Sequence, residues 1–235
     1  MTTTLITGAN KGLGYETARR LVAAGHTVYI GARNPDLGRA AAERLGARFV
    51  ELDVTDESSV TAAAKQIQAA GGLDVLINNA GVEGRTPDGG FVLPEDTTAE
   101  TVQSLFDTNV FGVVRVIHAF LPLLEHSEAP VVVNVSSGLS LTRELVNPAS
   151  PSHFYPAISY PASKAAVNMI TVQYAKAYPG IRINAVEPGY TKTDLNYNTG
   201  TQTVEEGAEI IVRMAQVSPD GPSGGFFDVN GSIAW

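Results

Sequence analysis

A short β-branched run, Thr3–Thr7, breaks into Thr7-Gly8-Ala9-Asn10-Lys11-Gly12-Leu13-Gly14, and a helical stretch, Leu13–Ala24, follows. This junction constrains the chain more than any other feature. Glycines at a strand-to-helix turn let backbone N–H groups approach an anion at the helix N-terminus, where the dipole favours negative charge. The spacing is G-x-x-x-G-x-G rather than the commoner G-x-G-x-x-G, so a glycine turn with no ligand competes with a pyrophosphate site. A strand before, a helix after and a place in the first βαβ unit favour the pyrophosphate.

The same alternation runs to the end of the chain. Strands are expected at Thr27–Ala32, Ala47–Leu52, Asp74–Asn78, Val131–Ser136, Ile181–Val186 and Gly225–Val229. Helices are expected at Leu37–Leu45, Ser58–Ala70, Ala99–Glu125, Ser159–Tyr178 and Val204–Gln216, with Gly25, Gly46 and Gly71 after three of the helices as left-handed stops. Strands apolar on both faces belong in a parallel sheet covered by helices on both sides. The expected fold is α/β: one doubly wound parallel sheet, a Rossmann fold, in a single domain spanning 1–235. Three nonhelical stretches, 82–98, 138–158 and 190–203, follow strands on the edge where such sheets bind ligands.

Composition removes other classes. A chain of 235 residues buries roughly 70–75% of its unfolded surface without staples. It has no Cys, which excludes disulfides, thiol nucleophiles and Cys-based metal sites, and its four His are scattered without metal spacing. A net charge of −8 makes it a poor partner for nucleic acid or anionic membranes. The most apolar stretch, Val110–Leu124, carries Arg115 and His118 and reads as too short and polar to span a bilayer. Met1-Thr2-Thr3-Thr4 carries no targeting signal, so a cytoplasmic location is expected.

Chemistry concentrates at strand ends. After the second strand comes Ala32-Arg33-Asn34, with no acid to bind an adenosine ribose. Arg33 offers a guanidinium fork suited to a 2′-phosphate, and Lys11 could reach the same group, which favours NADP(H) over NAD(H). Asp53-Val54 could meet the adenine. Asn78-Asn79-Ala80-Gly81 fits equally a tight turn or a cofactor site. Tyr160 and Lys164, four apart, share one helix face. The lysine charge should lower the phenol pKa, making Tyr160 a proton donor and acceptor nearer neutrality.

The ordered set Thr7-Gly8-x-x-x-Gly12-x-Gly14, Asn78-Asn79-Ala80-Gly81, Asn109, Ser137, Tyr160-x-x-x-Lys164 and Pro188-Gly189 resembles the short-chain dehydrogenase/reductase family over essentially the whole chain. Within it the chain is most similar to the NADPH-dependent carbonyl reductases, through the Gly-Ala-Asn-Lys-Gly-Leu-Gly loop, Ala32-Arg33-Asn34 and a short C-terminal region ending in Trp235. The resemblance implies that Tyr160 protonates the carbonyl oxygen as hydride arrives, that Lys164 binds the nicotinamide ribose, and that Ser137, rather than Ser136, hydrogen-bonds the substrate. It implies that Asn109 holds a water linking Lys164 to solvent and that Asn79 supports sheet and cofactor. Pro188, Gly189, Thr191 and Thr193 would hold the nicotinamide for B-face transfer. The cofactor set implied is therefore Gly8, Asn10, Lys11, Gly12, Leu13, Gly14, Arg33, Asp53, Val54, Asn79, Ala80, Gly81, Tyr160, Lys164, Pro188, Gly189, Thr191 and Thr193.

The chain also departs from the family's short form. Ser137 and Tyr160 stand 23 positions apart, and the extra segment resembles a shortened carbonyl-reductase insertion, which leaves a monomer or a homodimer open. The segment from Asp194 to Thr203 is expected as a short polar lid over an open pocket for varied aldehydes, ketones or quinones. Leu139, Phe154, Tyr190, Leu195 and Val82 are the candidate liners, and His153 a candidate contact. The competing readings are an NAD(P)-dependent alcohol dehydrogenase acting mainly in the oxidative direction and a non-catalytic NADP(H)-sensing binding protein.

Overall fold

The computed structural model describes residues 2–235. Strands β1 (Thr3–Thr7), β2 (Thr27–Ala32), β3 (Arg48–Glu51), β4 (Val75–Asn78), β5 (Val131–Val135), β6 (Arg182–Val186), β7 (Phe226–Asp228) and β8 (Gly231–Ile233) form one sheet. Their order is β3-β2-β1-β4-β5-β6-β7-β8. The first seven are parallel and β8 returns antiparallel to β7.

Side-chain alternation splits the core between the two faces. Leu5, Tyr29, Leu76 and Val132 point to one face, where they meet Val60 and Ile67 of α3 (Glu57–Ala69), Val116, Ile117 and Phe120 of α5 (Gly112–Leu124), and Val167 of α7 (Ser159–Ala177). Their neighbours Ile6, Ile30, Ile77 and Val133 point the other way. They meet α1 (Gly12–Ala23), α2 (Pro35–Leu45) and α8 (Val204–Ala215) through Leu21, Ala41 and Ile211. The helices end one or two residues from the expected limits, and Gly46 caps α2 in the left-handed conformation at φ 67°.

Three features differ from the expectation. The segment read as one helix over Ala99–Glu125 is α4 (Ala99–Phe106), a π turn (Asp107–Phe111) and α5 in continuous succession. Joined in this way, Ala99–Leu124 is 26 residues and meets a bilayer span's length and hydropathy, unlike Val110–Leu124 alone. Its apolar face packs on the sheet, where Val116, Ile117, Phe120 and Leu124 are fully buried. The stretch read as nonhelical over 138–158 contains α6 (Thr142–Leu145) between two 3₁₀ turns, Gly138–Ser140 and Pro151–Phe154. β8 was not expected. Asp228 Oδ1 accepts from the amides of Asn230 (2.8 Å) and Gly231 (3.0 Å), and Gly231 at φ 136° closes the hairpin.

Candidate active site

The strand order reverses between β1 and β4, and a cavity of about 1260 Å³ opens outside the carboxyl ends of the strands there. Its floor is the glycine loop. Gly8 and Gly12 take positive φ, 65° and 57°. Gly14 is required by closeness: a Cβ there would stand 2.5 Å from Asn79 Nδ2 and 2.9 Å from the Gly8 carbonyl oxygen. Asn79 ties the loop to the sheet, donating to the carbonyls of Thr7 (2.9 Å) and Gly8 (3.2 Å). The amides of Asn79 and Ala80 in turn donate to Thr7 Oγ1.

The N-terminus of α1 is left bare. Lys11 makes no side-chain cap and the first turn has no acid. By contrast, Asn34 caps α2 and Asp56 caps α3. The first amides of α1, lined by Asn10, Gly12 and Leu13, therefore face the cavity without an internal acceptor, which fits a dinucleotide's pyrophosphate.

Arg33 is exposed on the rim and makes no ion pair among the described residues. Lys11 is engaged differently from the expectation: its ammonium lies 2.7 Å from Asp194 in the lid. Both side chains are largely solvated, so this pair is worth at most about 1 kcal/mol and is no obstacle to a competing phosphate. Asp53 and Val54 line the same end, with Asp53 Oδ1 accepting from Thr55 N and Oγ1.

At the other end Tyr160 and Lys164 come from the first turns of α7, and Ser137 follows β5. Ser137 lines the cavity, within reach of Tyr160. Ser136 Oγ instead donates to Asn168 Oδ1 at 2.6 Å, which fastens β5 to α7. Lys164 Nζ donates to the Val135 carbonyl at 2.8 Å and stands 5.6 Å from the Tyr160 ring centre. Burial lowers the Lys164 pKa to about 8.

The expected lowering of the Tyr160 pKa is not met. Burial pushes the phenol up, and the carboxylates of Glu83 and Glu187 add to this, while Ser137 opposes it. Desolvation and two acids set the direction, and the Ser137 hydroxyl alone acts against them.

Asn109 sits in the π turn, a feature often found at functional sites. Its Nδ2 donates to the Val82 carbonyl (2.8 Å) and to Ser163 Oγ (3.1 Å), and its Oδ1 accepts from Val82 N (2.8 Å). With its side chain so used, a water beside Lys164 would meet Asn109 through the backbone. Ala80 and Gly81 lie between Asn79 and this pair on the cavity wall.

Pro188, Gly189, Thr191 and Thr193 line the wall after β6. Thr191 is buried and accepts at its carbonyl from Asn196 Nδ2 (2.8 Å), so its amide is the backbone group left for a ligand. The lid is more tied down than a short polar loop suggested. Lys11–Asp194 joins it to the glycine loop, and Tyr197 packs over Gly89 of the first substrate loop.

Leu139, Phe154, Tyr190, Leu195 and Val82 all line the cavity, with Phe154 at 75% and Tyr190 at 52% exposure. His153 does not: its Nδ1 pairs with the Leu145 carbonyl at 2.8 Å, outside the lining.

Sequence reasoning missed an acidic and aromatic group beside Tyr160. Glu83 is buried and forms a two-pronged pair with Arg85, at 3.0 Å on each carboxylate oxygen. Glu83 also accepts from the Tyr155 hydroxyl at 3.0 Å. Arg85 lies over the Phe91 ring at 3.6 Å, and the Tyr155 ring is 6.3 Å from that of Tyr160. This cluster pins the inserted loop to the first substrate loop. Its one signal in sequence was a charged pair two residues apart straight after Gly81-Val82.

Comparison with known proteins decides the family. The model of the short chain dehydrogenases matches residues 2–204. The chain belongs to the short-chain dehydrogenase/reductase family. It is 34% identical to (+)-neomenthol dehydrogenase of Capsicum annuum, over 95% of this chain and 94% of that one. It is 33% identical to (−)-isopiperitenone reductase of Mentha piperita, over 98% and 97%. Among solved structures, NADPH-bound carbonyl reductase from chicken fatty liver superposes with a TM-score of 0.84 at 29% identity, covering 100% of this chain and 99% of that one. Salutaridine reductase from Papaver somniferum gives 0.83 at 30%, over 97% and 99%. The protein is accordingly an oxidoreductase of CH–OH and C=O groups that works with a nicotinamide cofactor and small-molecule substrates.

Proposed function

We propose that this chain reduces small aldehydes and ketones, quinones included, to alcohols with NADPH, and that Tyr160 is the proton donor. The observation that carries the reading is the placement of Tyr160. Its phenol is buried and shares one cavity wall with Ser137 and Lys164. A buried phenol beside a serine hydroxyl and a lysine can hand its proton to a carbonyl oxygen held against it. The reductases among its relatives support the reductive direction.

A bound nicotinamide supplies the hydride. Ser137 Oγ donates a hydrogen bond to the substrate carbonyl oxygen and orients it toward Tyr160. Tyr160 gives its proton to that oxygen as the carbonyl carbon gains hydride, so the C=O bond becomes CH–OH. Lys164, cationic below about pH 8, stabilises the phenolate left behind. Solvent then restores the proton to Tyr160 along Lys164 and the Asn109 backbone. The bare N-terminus of α1 receives the pyrophosphate, and Arg33, without an ion pair among the described residues, receives a 2′-phosphate, with Lys11 able to exchange Asp194 for it. The carbonyl reductase named above was solved with NADPH, which supports the same cofactor here.

The test is NADPH oxidation followed with a panel of neutral ketones and quinones, set against NADH. Turnover that prefers NADPH is the expected result. Cofactor binding without turnover on any of them contradicts it.

A further inference from the structure

The cavity holds one carboxyl that this reduction does not use. β6 ends at Val186, and the Glu187 backbone N–H donates to the Phe227 carbonyl at 2.8 Å, which fixes where its side chain begins. Glu187 Oε1 accepts from the Gly189 amide at 3.0 Å. Oε2 is buried, has the Gly138 amide beside the carboxyl but no well-formed hydrogen bond among the described residues, and belongs to a residue lining the cavity with Ser137 and Tyr160. Space is kept for it: a Cβ on Gly138, the residue after Ser137, would stand 2.8 Å from Oε2.

Among the described residues no cation neutralises this group. Arg85 is committed to Glu83 and stacked on Phe91. Lys164 is committed to the Val135 carbonyl. Burial pushes the Glu187 pKa up, the amides of Gly189 and Gly138 oppose this, and the nearby Asp228 adds a smaller push upward. A buried carboxyl oxygen without a partner costs free energy that a ligand donor can recover. An ammonium recovers most, because the hydrogen bond is charge-assisted on both sides. A carboxylate at the same point would meet a second acid.

We propose that Glu187 is a specificity-determining residue of the carbonyl site: its free Oε2 binds a protonated amine carried a few bonds from the substrate carbonyl, and it selects against keto acids. The proposal rests on the carbonyl-reduction reading above.

It is tested with wild type and Glu187→Gln on a matched set: α-dimethylaminoacetophenone, acetophenone and benzoylformate, each with NADPH. Gln keeps the shape and removes the charge. The expected result is a fall of about tenfold or more in the ratio of kcat/KM for the amino ketone to that for acetophenone, carried mainly by KM. The ratio for benzoylformate to acetophenone should rise. Ratios unchanged by the substitution overturn the proposal. If wild type reduces none of the three ketones, the carbonyl-reduction reading falls, and calorimetry of the amino ketone on the NADP⁺-loaded protein decides Glu187 separately. Binding weakened in Glu187→Gln supports the subsite, and equal binding overturns it.

Discussion

Lys164 reaches back from α7 to donate its ammonium hydrogen to the Val135 carbonyl at the end of β5, 2.8 Å away. Removed from water there, it holds its charge only up to about pH 8. Tyr160 moves the opposite way and stays protonated well above neutrality. The sign for catalysis follows. As pH rises through about 8, Lys164 is lost as a cation before Tyr160 is lost as an acid. The kcat/KM of reduction should be level near neutrality and fall through that pH. Lys164→Arg, whose side chain does not titrate in this range, should move the falling limb upward. A limb at the same pH in both proteins would contradict the assignment.

Arg33 stands at the rim with no ion pair among the described residues. Arg33→Ala should raise the Kd of NADPH by about tenfold or more, the scale of one charge-assisted contact, and leave NADH nearly unchanged. Fluorescence titration with both cofactors checks this. Equal loss for the two would refute a 2′-phosphate site.

Glu83 and Arg85 are an almost buried pair, 6% and 13% exposed at their side chains. Glu83→Ala leaves the guanidinium without its partner, which costs about 3–5 kcal/mol. It also releases Tyr155, so KM for ketones should rise in whatever fraction folds. Phe120→Ala, in the core beneath α5, should cost about 3–5 kcal/mol with no selective effect on KM. Denaturant unfolding beside steady-state kinetics separates the two cases. A Glu83→Ala protein as stable as wild type would show that the pair is not structural.

Much of the fold was legible because it rests on local rules. Leu5 and Ile6, or Leu76 and Ile77, had to face opposite sides of a strand, and both being apolar required cover on both faces. Gly8, Gly12 and Gly14 marked the anion site because the turn and the close approach to Asn79 admit no side chain. The four-residue spacing of Tyr160 and Lys164 placed both on one side of α7.

Other features were hidden for physical reasons. The π turn around Asn109 is a local change of helical pitch that no periodicity announces. Asn230-Gly231 is a hairpin signal, and β8 was missed because only three residues follow the turn within the strand. The bond between Tyr155 and Glu83 joins residues 72 positions apart, so no spacing reveals it. The direction of the Tyr160 shift failed for the same cause: the lysine was visible in sequence, but the burial and the two acids that raise the phenol pKa arise only on folding.

Tyr160→Phe tests the central claim most directly. The substitution removes one hydroxyl from a buried ring and leaves the packing, the glycine loop and Lys164 in place. Single-turnover reduction of a neutral ketone by the NADPH-loaded variant should fall by about 10²–10⁴-fold, while the Kd of NADPH stays near that of wild type. A Tyr160→Phe protein that reduces the ketone at the wild-type rate would contradict proton donation by Tyr160.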